Sequence, residues 1–175
     1  DYDEELVATM LSESKIVAWF QGGSEFGPRA LGHRSFLANP TDPKMKDILN
    51  KRVKHREWFR PFAPIVLKDR CSEWFDISVD SPYMLYACPV KQPWLIPAVT
   101  HVDSTARVQT LDEKTNNKLY NLIKKFDSIT GVPVILNTSL NVNGQPIVET
   151  PKEALELFYS SDIDAIVIDN KMFLK

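Results

Sequence analysis

Four short segments of this chain combine cationic side chains with small hydroxyl and amide side chains. They are EFGPRALGHRS at 25–35, KHREWFRPFAP at 54–64, HVDSTARVQT at 101–110 and LNTSLN at 136–141. Arginine presents a planar fork of N–H donors that matches a phosphate group bidentately, and lysine adds a compact positive charge. The segments offer almost no candidate nucleophile. Their residue types therefore indicate a site that binds a polyanion.

The first segment is a rigid turn that presents Arg29. Pro28 fixes one backbone dihedral angle, and the glycines on either side of it in the turn permit positive ones. From the turn alone, Arg29 either binds phosphate or faces solvent in an ordinary loop. Arg34 also has two interpretations, which are a ligand contact and a structural pair with Glu25.

The second segment alternates cations with aromatic residues. Such a pattern can indicate single-stranded nucleic acid, because bases stack on aromatic rings. We expect instead that the aromatic residues belong to the core and anchor the loop. They are Trp58, Phe59 and Phe62. Arg56 and Glu57 are neighbours in sequence, and we expect each of them to stabilise the loop through a separate salt bridge.

The third segment alternates as a strand does. Period-two geometry would place five residues on one face, namely His101, Asp103, Thr105, Arg107 and Gln109. His101 is then either a donor to a ligand or a structural residue. A catalytic triad is not supported, since Cys88 is remote and Ser104 would point to the other face.

The fourth segment follows a predicted buried strand. Hydroxyl and amide groups beside exposed backbone N–H groups can form an anion-binding nest without adding charge, and Asn137–Asn141 has this composition. The alternative is a plain asparagine-rich turn that continues into a hairpin at Asn143-Gly144. No GxxxxGK[ST] motif occurs, which excludes a nucleotide site of the Walker type.

Periodicity and capping signals predict the elements that must position these segments. Helices are expected at 3–14, from an N-cap at Asp42 followed by Pro43, at 114–129 with Gly131 as C-cap, and from a capping box at Thr150. Strands are expected at 16–20, 34–38, 62–67 (with an edge position or an irregular start, because of its prolines), around 83–88, 101–109, 132–136 and 165–168. This order predicts one α/β domain, 1–175, built on a mixed, twisted sheet.

The composition limits the classes of function. A net charge of −2 argues against a general nucleic-acid binder, but nine Lys/Arg against three Asp/Glu between Arg29 and Arg60 indicate a local anion site. Two cysteines, Cys71 and Cys88, predict neither a disulfide framework nor a zinc site. No apolar run spans a membrane and no signal peptide is visible, so we expect a cytoplasmic protein. The chain begins Asp-Tyr-Asp, and we expect it to be part of a longer protein.

In their order and intervals, the four segments closely resemble the C-terminal YrdC-like domain of the O-carbamoyltransferase family. That family includes nodulation-factor and antibiotic-tailoring carbamoyltransferases, and the resemblance covers about Ile16 to Asn170. It implies an open mixed sheet flanked by helices (α+β-like in its segregation), with a concave, positively charged face. It also implies that a larger N-terminal catalytic domain precedes this domain in the full protein.

The resemblance implies a function and a set of residues. This domain would bind carbamoyl phosphate and ATP, with Mg²⁺ accompanying the nucleotide, and form carbamoyl-adenylate. The N-terminal domain would then transfer the carbamoyl group to an acceptor hydroxyl. The residues that neutralise charge would be Arg29, Lys54, Arg60 and Arg107. The other substrate or nucleotide contacts would be Arg34, His101, Thr105, Asn137, Thr138, Ser139 and Asn141. No carboxylate cluster in the sequence indicates a protein-built metal site.

Two other functions stay open at this point. One is a non-catalytic module with the same fold that binds RNA or a nucleotide effector. The other is a stand-alone threonylcarbamoyl-adenylate synthase, which the motif set favours less than a carbamoyltransferase.

The predicted strand face of Arg107 supplies a first test. A bidentate contact to phosphate in a partly desolvated cleft is worth roughly 1.5–3 kcal/mol. Lysine keeps the charge but loses the fork, so we expect Arg107→Lys to weaken the binding of carbamoyl phosphate in a calorimetric titration. Arg52→Lys, in the helix before the second segment, is the matched control and should change nothing. Equal affinities for the two variants would remove Arg107 from the site.

Overall fold

Nine strands and five α-helices follow one another along the computed structural model, which describes all 175 residues. The strands are β1 (Val17–Phe20), β2 (Arg34–Ala38), β3 (Ala63–Leu67), β4 (Ala87–Pro89), β5 (Thr105–Arg107), β6 (Gln109–Leu111), β7 (Val134–Ser139), β8 (Ala165–Ile168) and β9 (Lys171–Leu174). The α-helices are α1 (Glu4–Ser12), α2 (Met45–Leu49), α3 (Cys71–Trp74), α4 (Asn117–Thr130) and α5 (Pro151–Ser160).

Seven of the strands form one mixed sheet in the order β6-β3-β7-β2-β1-β8-β9, and β4 pairs with β5 in a separate ribbon. The β1–β8 and β3–β6 pairs are parallel, and the other pairs are antiparallel. The predicted α/β class with a mixed sheet is confirmed. The concave basic face that the resemblance implies stays a prediction.

Both faces of the sheet are covered in its centre. Every residue of β1, β2 and β3 is buried, which a strand with one solvated face would not show. Helix α1 packs on α4, and α4 packs on β3 and β7, while α5 packs on β8 and β1. One continuous apolar core results.

Helices α4 and α5 are both present as the sequence predicts, although α4 begins three residues later than expected. The Asn116 side chain accepts a hydrogen bond from the N–H of Leu119 at 3.1 Å, and Gly131 ends α4 with φ +74°. The four apolar residues of its predicted stripe are all buried, namely Leu119, Leu122, Ile123 and Phe126. Helix α5 begins with the predicted capping box between Thr150 and Glu153.

The helix expected from Asp42 begins later than predicted. The Asp42 side chain accepts a hydrogen bond from the N–H of Lys44 at 2.8 Å and so caps a turn, and α2 begins only at Met45. Five residues of π-helix, Asn50–Lys54, then extend it. Arg52, in this extension, is not on a free solvent face, because its guanidinium forms two hydrogen bonds to Asp162 at 2.6 and 3.0 Å. Its use as a binding control therefore needs a measurement of stability beside it.

Two interior strands differ in part from their predictions. Strand β3 is not an edge strand, but it has the predicted irregular start, because its pairing with β6 begins only at Ile65, after Pro64. Strand β7 does not end before a polar turn at Asn137 but continues to Ser139. The reason is that β2 offers partners for these residues along the second edge of β7.

The single strand expected at 101–109 is two short strands in two different sheets. Residues 101–104 form a turn in which Ser104 has φ +63°, then β5 pairs with β4 and β6 pairs with β3. The alternation holds inside β5, where Ala106 is buried between two half-buried neighbours, but it does not extend to the turn.

Burial corrects two of the three aromatic predictions. Phe62 is a core residue, but Trp58 is 73% exposed and Phe59 is 62% exposed, and their rings meet edge to face at 6.1 Å. The loop is therefore not anchored through them. Both cysteines are buried and free. No helix is long and apolar enough to cross a membrane.

Gly32 gives a stability test of how the first segment is packed. Its φ is +100°, and a Cβ there would clash with Cδ2 of Leu119, a fully buried residue of α4. We expect Gly32→Ala to lower the free energy of unfolding by roughly 2 kcal/mol or more, through backbone strain and overpacking together.

Gly27→Ala is the matched control, because Gly27 also has a positive φ, +116°, but a Cβ there would meet nothing within 4 Å. It should lose about 1 kcal/mol through strain alone. Urea denaturation of both variants measures the difference, and equal losses would contradict the packing argument.

Candidate functional site

A buried carboxylate shapes the turn that carries Arg29. One oxygen of Glu25, Oε1, accepts hydrogen bonds from the N–H groups of Leu31 and His33, both at 2.7 Å, and of Arg34 at 3.3 Å. Burial alone would raise the pKa of Glu25, but the His33 ring, whose Nδ1 lies 3.7 Å from Oε1, and the hydrogen bonds from the amides of Leu31 and His33 outweigh it and lower the pKa to about 2. The loop therefore folds around the ionised carboxylate of Glu25, and Arg29 is exposed on its surface.

Arg34 stabilises the base of the same turn. It is 2% exposed, and its guanidinium donates to the carbonyls of Gln21 at 3.0 Å and Gly22 at 2.9 Å while it stacks 3.5 Å above the Phe20 ring. Its pairing with Glu25 runs through the backbone amide, not the guanidinium. A ligand contact by Arg34 stays a prediction, although most of its donors are already used.

Lys54 connects the π-helix to the end of β7. Its Nζ lies 2.6 Å from the Ser139 carbonyl oxygen, 3.1 Å from Ser139 Oγ, 2.9 Å from the Asn141 carbonyl oxygen and 2.8 Å from Asn141 Oδ1. Burial, and the nearby charge of Arg56 to a smaller extent, lower the pKa of Lys54 to about 7. The ammonium group thus sets the shape of the polar turn that the sequence places after β7.

Arg56 is a site residue that the sequence reasoning missed. Its Nε donates to Asn50 Oδ1 at 2.9 Å, and its guanidinium stacks 4.6 Å from the Phe62 ring. It forms no salt bridge, whereas Glu57 pairs with Arg60 at 3.4 Å. The signal that could have found it is its place between Lys54 and Arg60 in one segment.

Two adjoining cavities bring most of the predicted residues together. One has a volume of about 260 Å³ and the other about 110 Å³, and both are lined by Arg56 and Ser139. The larger is also lined by Lys54, Arg60 and Asn141. The smaller is also lined by Arg29, Arg107, Asn137 and Thr138. No aspartate or glutamate lines either cavity, so five cations face this space without a carboxylate among its walls.

Burial and the charge of a neighbouring arginine lower the pKa values of two arginines that line the smaller cavity. Burial, and then the charge of Arg29, lower the pKa of Arg107. Burial, and then the charge of Arg60, lower the pKa of Arg56. A bound anion would raise both pKa values again, because its negative charge attracts the two guanidinium groups in a partly desolvated space.

His101 and Thr105 lie outside both cavities. The Thr105 hydroxyl donates to Asp103 Oδ1 at 2.7 Å and lies 3.0 Å from His101 Nδ1, so the three side chains stabilise the turn before β5. Ligand contacts by His101 and Thr105 stay predictions. No group of three or more His, Cys, Asp or Glu side chains is placed to bind a metal ion.

The fold is shared with two proteins of known structure. Full-length HypF in its phosphate- and nucleotide-bound form superposes with a TM-score of 0.71 at 23% identity, over 97% of this chain and 25% of that one. Sua5 of P. abyssi in complex with L-threonine superposes with a TM-score of 0.67 at 17% identity, over 98% and 48%. The chain thus has the YrdC-like fold of these proteins.

The sequence itself matches a family more closely. The family model described as "Carbamoyltransferase C-terminus" matches residues 8–175. Nodulation protein NolNO of Sinorhizobium fredii is 42% identical over 96% of this chain, and protein MJ1058 of Methanocaldococcus jannaschii is 44% identical over 94%. This chain belongs to the carbamoyltransferase C-terminal family. It spans 25% and 27% of the lengths of these two relatives.

The buried position of Lys54 gives a test by pH. Because its pKa is about 7 in the folded chain and 10.5 ordinarily, the unfolded chain binds more protons between these values. The contribution of Lys54 to the free energy of unfolding must then rise with pH from 7 to 10.5. We expect the wild type to gain stability relative to Lys54→Met between pH 7.5 and pH 9.5, as measured by urea denaturation.

Lys51→Met, one helical turn earlier and exposed, is the control and should keep the pH dependence of the wild type. A Lys54→Met curve parallel to that of the wild type would show that the pKa of Lys54 is not lowered by folding.

Proposed function

We propose that this chain binds carbamoyl phosphate and ATP and forms carbamoyl-adenylate. The observation that carries the proposal is the pair of adjoining cavities with five cations and no carboxylate in their walls. Such a lining favours a ligand with several negative charges. Because the chain belongs to the carbamoyltransferase C-terminal family, we infer that this ligand is a carbamoyl donor.

The reaction balances only if one water enters. Water cleaves carbamoyl phosphate to carbamate and phosphate, and a carbamate oxygen then attacks the α-phosphorus of ATP and displaces pyrophosphate. Both steps are substitutions in which charge moves between oxygens, so positioning and neutralisation by fixed donors supply most of the catalysis.

Each of the two cavities would bind one of the two substrates. In the smaller one, Arg29, Arg56 and Arg107 would bind carbamoyl phosphate. In the larger one, Lys54 and Arg60 would compensate the charge of the nucleotide phosphates. Ser139 and Asn141 would orient the adenylate beside them. Mg²⁺ would arrive with the nucleotide, because the cavity walls carry no carboxylate ligands for it and phosphate oxygens and water would complete its shell.

The family of the chain also indicates the step that follows the formation of carbamoyl-adenylate. We propose that transfer of the carbamoyl group to an acceptor hydroxyl takes place in an N-terminal domain of the full protein. The length of the relatives beyond the matched region supports this division. The need for ATP favours a cytoplasmic location.

The exposed rings of Trp58 and Phe59 favour a second candidate, a module that binds single-stranded RNA. Salt dependence separates the two functions. RNA binding should weaken steeply as salt rises, because counterions are released from the phosphate backbone. Carbamoyl phosphate should instead bind saturably, with one ligand per chain.

Exchange of labelled pyrophosphate into ATP tests the adenylate step directly. We expect exchange only when carbamoyl phosphate is present, and a loss of about 100-fold or more in Arg56→Ala, which removes a cation from both cavities. Lys51→Ala, exposed on the π-helix, should exchange at the rate of the wild type.

The 175-residue chain should transfer no carbamoyl group to alcohols. Pyrophosphate exchange that does not depend on carbamoyl phosphate would contradict the proposed activation. Transfer to an alcohol by this chain alone would contradict the proposed division between domains.

A further inference from the structure

The loop after β7 contains Asn143, the only asparagine of the chain that is followed by a glycine. Asn143 and Gly144 are both exposed, and both line the 260 Å³ cavity. The other walls of that cavity include its three cations, Lys54, Arg56 and Arg60. An asparagine before a glycine has a reactivity of its own, because the next backbone nitrogen can attack the side-chain amide carbon. Glycine leaves that nitrogen unobstructed, since it has no Cβ.

The backbone around this pair leaves both reacting groups accessible. The N–H of Gln145 donates to the Val142 carbonyl at 3.2 Å, and Gly144 has φ +78°, so the pair occupies the two central positions of a turn. The N–H of Gly144 donates no hydrogen bond. The Asn143 side chain forms one hydrogen bond, from Nδ2 to the His55 carbonyl at 3.3 Å. Neither the nucleophile nor the amide carbon is therefore protected by a helix or a strand.

The reaction needs no reactant other than water. The Gly144 nitrogen gives up its proton and attacks Cγ of Asn143, and a new C–N bond closes a succinimide ring. The side-chain nitrogen takes up a proton and leaves as ammonia. Water then adds to either carbonyl of the ring and opens it, which yields aspartate or isoaspartate. Nothing is oxidised or reduced, and each product carries a carboxylate where the chain had a neutral amide.

The new carboxylate would change the electrostatics of the larger cavity. The walls of that cavity carry three cations and no carboxylate before the reaction. A negative charge at residue 143 would compensate part of the positive charge and would repel an incoming anion, and a partly desolvated space strengthens both effects.

Isoaspartate would also change the shape of the cavity, because it adds one carbon to the main chain of the turn. The Gln145 carbonyl, at the end of the turn, accepts a hydrogen bond from Asn141 Nδ2 at 2.7 Å. The same asparagine has its Oδ1 2.8 Å from Lys54 Nζ. A lengthened turn would therefore disturb one of the side chains that position Lys54.

We propose that Asn143 is a site of spontaneous deamidation, and that its product closes the larger cavity to anions as the protein ages. A newly made chain has a neutral amide at this position, and its cavity is open to a polyanion. A modified chain has a carboxylate among the same cations. The chain thereby limits its own working life without a second protein. The effect on binding rests on the proposed function, whereas the modification itself depends only on the turn.

Peptide mapping by mass spectrometry tests the modification in the 175-residue chain, incubated in mildly alkaline buffer. Replacement of NH₂ by OH adds about 1 Da. We expect this gain at Asn143 well before it appears at Asn170, which is also exposed but is followed by lysine. Asn143→Gln keeps an amide but would have to close a larger ring, so it should not gain the mass. Equal rates at Asn143 and Asn170, or no gain at Asn143, would overturn the proposal.

Calorimetric titration with pyrophosphate tests the consequence for binding. We expect Asn143→Asp to bind pyrophosphate at least about tenfold more weakly than the fresh wild type, because of the added negative charge. Asn143→Gln is the matched control and should bind within about threefold of the fresh wild type, as an exposed neutral substitution does. After incubation, the wild type should lose affinity in proportion to its modified fraction, and Asn143→Gln should keep its affinity.

The two measurements separate two kinds of failure. If the fresh wild type binds no pyrophosphate, the proposed function fails and the effect on binding fails with it, while the mass measurement still decides the modification. If Asn143→Asp binds pyrophosphate as tightly as the wild type, the anion site stands, but deamidation does not close it and the proposal is wrong.

Discussion

The pairing of β7 along both of its edges is the constraint on which the site depends. Asn137 lies opposite Leu37 of β2 on one side and opposite Ala63 of β3 on the other. A shift of one residue in either register would turn each side chain of β7 to the opposite face. The sheet therefore fixes Asn137, Thr138 and Ser139, and the cations reach them from loops. This arrangement places three polar residues on a strand that is paired along both edges, which positions side chains more precisely than a loop does.

The cations around that strand are stabilised by different means. Lys54 has its ammonium group among four oxygens, and Arg34 has its guanidinium among backbone carbonyls. Arg29 and Arg107 lack such partners. The chain thus separates cations that shape the cavities from cations whose charge is left for a ligand. The second kind can bind an anion directly, whereas Lys54 can contact a phosphate oxygen only in exchange for one of its present partners.

Local signals in the sequence predicted the parts of the fold that depend on neighbouring residues. Gly131 and Thr150 cap helices through atoms within four residues, so the local sequence is enough to predict them. The register of β7 and the interior place of β3 depend on partners far along the chain, and no local pattern specifies them. Trp58 and Phe59 show the same limit, since a hydrophobic residue type does not say whether anything covers it. For the site, the four segments named most cavity residues, but the role of Arg56 needed the geometry.

The parallel pairing of β1 with β8 has a consequence for the kinetics of folding. Near the start of β1, the N–H of Ile16 bonds to the carboxylate of Asp164, 148 positions later in the chain. Closing so long a loop costs entropy before any contact compensates it, and such contacts slow folding. During synthesis, β1 can pair with β2 early but must wait for β8. Until then one edge of β1, a fully apolar strand, stays open to other chains, which makes this half of the sheet the place where nascent molecules would associate wrongly.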